Sequence, residues 1–139
     1  EEYQIPYELI KKIKQGEDLV LPSGQIISNA ELTIPPSPPR SYAYCSDTAF
    51  STETANYVSE VNLLYHEATF MEEHAMRAAE TYHTTSVQAA QVAAQAKAGQ
   101  LLLGHFSARY DNLEPLVKES QSIFPNSHLA VEGKSFQVV

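Results

Sequence analysis

From residue 41 onward, runs rich in β-formers alternate with helical segments, and this alternation limits the fold more than any other feature of the chain. The β-prone runs are "SYAYCSD", "VNLLYHE" and "QLLLGH", with short strands expected near 128–132 and 135–139. Helical segments fall between them at 51–60, 71–80, 85–99 and 113–122. Strands separated by helices of this length need crossover connections, which build a largely parallel sheet with covered faces. The expected class is therefore α/β. The best-marked helix is "TTSVQAAQVAAQAKAG", where Thr85 and Gln88 fit a capping box and Gly99 is expected to supply the C-terminal stop.

The first 40 residues follow another pattern. "IPYELIKKIKQGEDL" reads as a short amphipathic helix, with Pro6 at its first turn, Leu9, Ile10 and Ile13 at helical spacing, and Gly16 ending it. "LVLPSGQII" is a hairpin signal, and residues 30–34 are expected to add a short strand. The four prolines of "IPPSPPR" rule out helix and predict a stiff extended connection; an SH3-type ligand is the lesser reading.

With 139 residues and 43% hydrophobic content, the chain can build a real core, and one domain is expected. The lone Cys45 makes no internal bridge and reads as a small core residue. No apolar stretch reaches the length of a membrane span, which predicts a soluble, cytoplasmic protein. A net charge of -8 makes the chain a poor generic binder of nucleic acid backbone. Because it starts at Glu1 without methionine, it is expected to be a piece of something longer.

In parallel sheets ligands collect at the carboxyl ends of strands. Three consecutive strands here end at Asp47, at His66 with Glu67, and at His105. Each residue has an ordinary reading: a helix cap for Asp47, a loop carboxylate for Glu67, a core histidine for His105. Their coincidence raises the alternative, in which Asp47 and His105 bind metal and Glu67 orients a catalytic histidine. His83 precedes a helix N-terminus, which favours an anion and suits proton delivery to a departing alkoxide. "HEATF" lacks the second histidine of a zincin, so a protease is disfavoured. His74 reads as a solvated helix residue and His128 as loop or strand edge.

Taken in order, "SDT", "HEATF", "HTT" before an alanine-rich helix, and "GHFSARY" resemble the carboxyl-terminal half of ribonuclease Z, the tRNA 3′-processing endonuclease family of the metallo-β-lactamase superfamily. The likeness runs from "LIKKIKQGEDLVLPSGQII" onward; Ser46 and Thr84 are small departures, from the family's usual glycine and serine. It implies half of an αββα sandwich and a complete site with two Zn2+ ions. Asp47 would bridge the metals and His105 would bind one; His83, supported by Glu67, would donate or relay a proton. Arg109, Tyr110 and His66 would be substrate-facing or supporting. The reaction implied is attack of metal-activated water on a phosphodiester of precursor tRNA, leaving a 3′-hydroxyl. A homodimer is implied as well.

The family's His-x-His-x-Asp-His motif occurs nowhere in these residues, nor does its basic tRNA-gripping arm. Both are expected in an amino-terminal half not represented here. Two ligands cannot satisfy zinc, which takes about four donors, so the chain alone is expected to be inactive. Half a sandwich also leaves one sheet face bare, predicting pairing with a second copy or with the missing half. Two other readings are a metallo-β-lactamase-fold hydrolase of small phosphodiesters or sulfate esters, and a non-catalytic binding or assembly module.

Overall fold

The structure is a computed structural model that describes residues 5–139. Two compact units are present, divided between Pro39 and Arg40. The division falls at the end of the proline run, which is extended and exposed, as a segment with few backbone donors must be.

In the first unit, helix α1 (Tyr7–Lys14) is followed by strands β1 (Leu19–Val20) and β2 (Ile26–Ile27) and a helical turn, α2 (Asn29–Leu32). The strands form the expected antiparallel hairpin, with Leu19 opposite Ile27. Ile13, Leu19 and Ile27 are its buried centre, with Ile5, Leu9, Leu21 and Leu32 packed around them. The strand expected at 30–34 is absent, and the helical turn stands in its place. Asn29 is the cause: its backbone N–H donates to Asp18 Oδ1 at 2.7 Å and its side-chain amide to the carbonyls of Ile13 and Glu17. These bonds pin the chain where it would have to extend.

The second unit contains β3 (Tyr42–Cys45), α3 (Thr54–Tyr57), β4 (Leu63–Glu67), a 3-10 turn over Glu72–His74, α4 (Ala75–Glu80), α5 (Ser86–Ala96), β5 (Gln100–Gly104), α6 (Glu114–Ile123) and β6 (Ser127–Leu129). The four strands make one sheet in the order β3-β4-β5-β6, parallel throughout. The helix expected at 51–60 is a single turn, that at 71–80 starts as 3-10, and the strand expected at 135–139 does not form. Instead the Val139 carbonyl accepts from the Asn62 amide at 2.7 Å.

Leu64, Leu101 and Leu103, all fully buried, form one core with Ala89, Val92, Ala93 and Ala96 of α5 and Leu116 of α6. The alanines add little side-chain bulk on the α5 side of this core, so the helix seats closely. Its start is the expected capping box: Thr85 Oγ1 accepts from Gln88 N, and Gln88 Oε1 accepts from Thr85 N at 3.0 Å. Its end differs from expectation. Lys97, with φ 54°, takes the left-handed position, and Ala98 N donates to Ala93 O. Gly99 serves another purpose, since a Cβ there would lie 2.6 Å from the Asn62 carbonyl. The residue permits a close approach of two backbones rather than a helix stop.

Among the described residues of this unit, α5 and α6 cover one face of the sheet. On the other, Tyr42 is 54% and Tyr44 63% exposed, and the Tyr44 ring stacks on Tyr65 with centroids 4.5 Å apart. Cys45 is free and half-buried against the core, and burial pushes its thiol pKa up.

Candidate metal and proton-transfer site

Parallel strands start at one edge and end at the other, so the residues that follow β3, β4 and β5 gather at one rim. Asp47 stands two residues beyond β3, Glu67 is the last residue of β4, and His105 directly follows β5. Asp47 and His105 both take left-handed backbone conformations, with φ 49° and 58°. Such a conformation costs a residue with a side chain about 1–2 kcal/mol and is found where surrounding structure enforces a special direction. Here it brings His105 Nε2 to 3.1 Å from Asp47 Oδ1.

His83 arrives from another direction. Its backbone N–H donates to Ala78 O at 2.8 Å, closing the end of α4, and Tyr82 before it has φ 59°. A bridge between Phe70 and Thr85 then lays this connection beside the loop after β4. The result places His83 Nδ1 2.9 Å from Glu67 Oε1 and 4.0 Å from Asp47 Oδ1. The rings of His83 and His105 are 5.3 Å apart between centroids. Asp47, His83 and His105 each offer one donor atom, all within 4.8 Å of one another.

Glu67 is completely buried, yet well provided with donors. Its Oε2 accepts from Thr69 N at 3.0 Å and Thr69 Oγ1 at 2.8 Å, and its Oε1 from Thr48 N at 3.3 Å besides His83. A buried carboxylate without such bonds would be costly. Among the described residues no buried side-chain polar atom lacks a partner. Thr84 Oγ1 donates to Thr48 O at 2.6 Å, tying the His83 connection to the loop after β3.

Two threonines of this frame, Thr48 and Thr69, went unassigned in the sequence. Thr69 reaches His105 as well, at 2.9 Å to Nδ1. The usable signal was its position two residues after a buried carboxylate in "HEATF", where a turn can fold the hydroxyl back onto Glu67.

The other sequence candidates are spread more widely. His66 alternates with Glu67 along β4 and is 1% exposed; its Nδ1 lies 2.7 Å from the Glu67 carbonyl, and burial lowers its pKa. The structure does not bring its ring into the cluster of Asp47, His83 and His105. Arg109 lies with its guanidinium 4.9 Å from the centre of the Phe70 ring, which itself meets the His83 ring edge-on at 6.1 Å. Tyr110 accepts from Met71 N at 3.0 Å and so braces the loop after "HEATF". His74 lies 3.7 Å from Glu73 and tilts over Tyr110, while His128, on the edge strand β6, bonds Asn126 just before that strand.

One carboxylate oxygen and two imidazole nitrogens at this spacing form a donor set suited to a borderline-soft divalent metal. Ribonuclease Z of Bacteroides fragilis is 52% identical over 131 residues, and that of Parabacteroides distasonis 48% over 136 residues. This chain is homologous to ribonuclease Z. It spans about 43% of the length of the Bacteroides ribonuclease Z, which in turn matches 94% of this chain. No family model matches.

Solved structures agree on the architecture. A metallo-β-lactamase fold protein from Bacillus subtilis superposes with a TM-score of 0.63 at 24% identity, over 68% of this chain and 38% of its own. The short form of human tRNase Z matches at 0.51 and 27%, over 68% of this chain and 31% of its own; a long-form RNase Z from yeast matches at 0.56 and 28%, over 64% and 12%. The parallel sheet and its helices are thus part of the metallo-β-lactamase fold, shared with ribonuclease Z.

Proposed function

We propose that this chain is the carboxyl-terminal half of a zinc-dependent endoribonuclease that removes 3′ trailers from precursor tRNA. One observation carries the reading: Asp47, His105 and the His83–Glu67 pair, drawn from four separate segments, meet at a single rim. Zinc bound there would lower the pKa of water and offset charge on phosphate oxygens.

The chain's own residues divide the remaining work. Asp47 and His105 would hold the metal, which would supply the Lewis-acid chemistry. His83 gives a proton to the departing alkoxide, and Glu67, its acceptor at Nδ1, keeps the ring aimed. Arg109, fixed over Phe70, faces the substrate backbone. Tyr110 supports the loop that carries Phe70.

Two ligands fall short of the roughly four that zinc takes, so the remainder come from the amino-terminal half with its His-x-His-x-Asp-His motif. The same half supplies basic residues to hold tRNA, which a chain of net charge -8 does not offer. The complete protein works in the cytoplasm as a homodimer; no helix among the described residues is long and apolar enough to cross a membrane. The test is cleavage of a precursor tRNA with a 3′ trailer by the complete protein with zinc, beside its His105→Ala variant. The variant should lose nearly all cleavage, and unchanged cleavage would remove His105 from the site.

A further inference from the structure

We infer that the Thr69 hydroxyl is a positioning group that fixes which ring nitrogen of His105 faces the metal. It acts as the middle link of a hydrogen-bond chain running from His105 through Glu67 to His83. This rests on the reading of His105 as a metal ligand given above.

The argument is a count of hydrogens. Thr69 is 93% buried, so water does not complete its bonding. Its oxygen lies 2.8 Å from Glu67 Oε2, 3.0 Å from the His105 carbonyl and 2.9 Å from His105 Nδ1. A hydroxyl has one hydrogen to give and lone pairs to receive with. The carboxylate and the carbonyl can only accept, so the hydrogen goes to one of them, and the charge-assisted bond to Glu67 is the stronger. The ring nitrogen must then be the donor. Were the hydroxyl to donate to Nδ1, two acceptor oxygens would be left facing its lone pairs at 2.8 and 3.0 Å.

His105 therefore carries hydrogen on Nδ1 and leaves the Nε2 lone pair facing Asp47 Oδ1 at 3.1 Å. The Glu67 carboxylate, which takes the Thr69 hydrogen on Oε2, takes the Nδ1 hydrogen of His83 on Oε1. Both imidazoles are thus held in one tautomeric sense by Glu67, His83 directly and His105 through Thr69. A ligand imidazole whose far nitrogen is hydrogen-bonded in this way is both oriented and more basic, and losing the partner typically weakens metal binding by about 10–100-fold.

The test compares the wild-type chain with Thr69→Val, which keeps the branched shape and removes the hydroxyl, and Thr69→Ser, which keeps the hydroxyl. Two-bond proton–nitrogen correlation spectra of histidine-labelled chain, recorded metal-free at alkaline pH, report the tautomer of each ring. The wild type and Thr69→Ser should show His105 with hydrogen on Nδ1, and Thr69→Val should shift it toward the other tautomer, with His74 and His128 unchanged. In the complete protein, zinc affinity should fall about 10–100-fold in Thr69→Val and recover in Thr69→Ser. If Thr69→Val does not fold, the wild-type spectrum alone decides, since hydrogen on Nε2 of His105 overturns the inference; so does a folded Thr69→Val with an unchanged tautomer. The expected spectra together with a complete protein that leaves precursor tRNA intact would refute the tRNA reading and leave this one standing.

Discussion

Glu67 Oε1 and His83 Nδ1 stand 2.9 Å apart, one on the last residue of a central strand and the other just before a helix that begins 19 residues later. The carboxylate is buried completely, and the ring retains 23% side-chain exposure. One partner is structural in its surroundings and the other faces outward, as an oriented proton donor requires.

Replacing Glu67 by Gln puts an amide where four donors converge. Whichever way it turns, an NH2 group meets either His83 or the Thr69 donors. Glu67→Gln in the complete protein should lower cleavage by about 10²–10⁴-fold, the usual worth of general acid–base catalysis. Chemical denaturation of this chain should show a loss of about 1–3 kcal/mol from the mispaired buried group. Wild-type cleavage in this variant would separate Glu67 from the reaction.

The C-terminal end of α5 gives opposite predictions for two neighbouring substitutions. Lys97 has φ 54°, so Lys97→Gly should stabilise the chain by about 0.5–1 kcal/mol by removing left-handed strain. Gly99→Ala should destabilise it by about 1–3 kcal/mol, because the added Cβ meets the Asn62 carbonyl at 2.6 Å. Denaturation midpoints of the two variants check both signs at once.

His66 should make the chain acid-labile. Burial lowers its folded-state pKa below the ordinary 6.5. The unfolded chain then binds more protons than the folded one as pH falls below that value, so stability is complete above about 6.5 and declines under it. His66→Gln should have a flatter stability profile over the same range. Parallel profiles for the two proteins would contradict this assignment.

Isolated chain, loaded with zinc and dialysed, should retain well under one equivalent of metal by elemental analysis, since its two proposed ligands are half of what zinc takes, about four. Tight stoichiometric zinc would show that the chain completes a site by itself.

The parallel sheet was legible because its strands are apolar, short and separated by helices, and a capping box such as Thr85 with Gln88 is a local signal that packing does not override. Helix ends were less legible. Gly99 looked like a stop, but the chain had already turned at Lys97, and the glycine answered to the Asn62 backbone across the sheet instead. The turn at Asn29 depended on bonds to Ile13, Glu17 and Asp18, which no local propensity encodes. At the rim, strand ends pointed to Asp47, Glu67 and His105 because side chains there share an edge. Thr69 stayed hidden, since a threonine's meaning lies in which two groups its hydroxyl reaches.

The central claim is that Asp47 and His105 hold metal at the mouth faced by His83. Crystals of the complete protein with zinc, measured on both sides of the zinc absorption edge, test it most directly. The account predicts an anomalous peak within bonding distance, about 2.0–2.2 Å, of an Asp47 carboxylate oxygen and of His105 Nε2. Zinc peaks elsewhere in the protein, with Asp47 and His105 bonded only to each other, would contradict it.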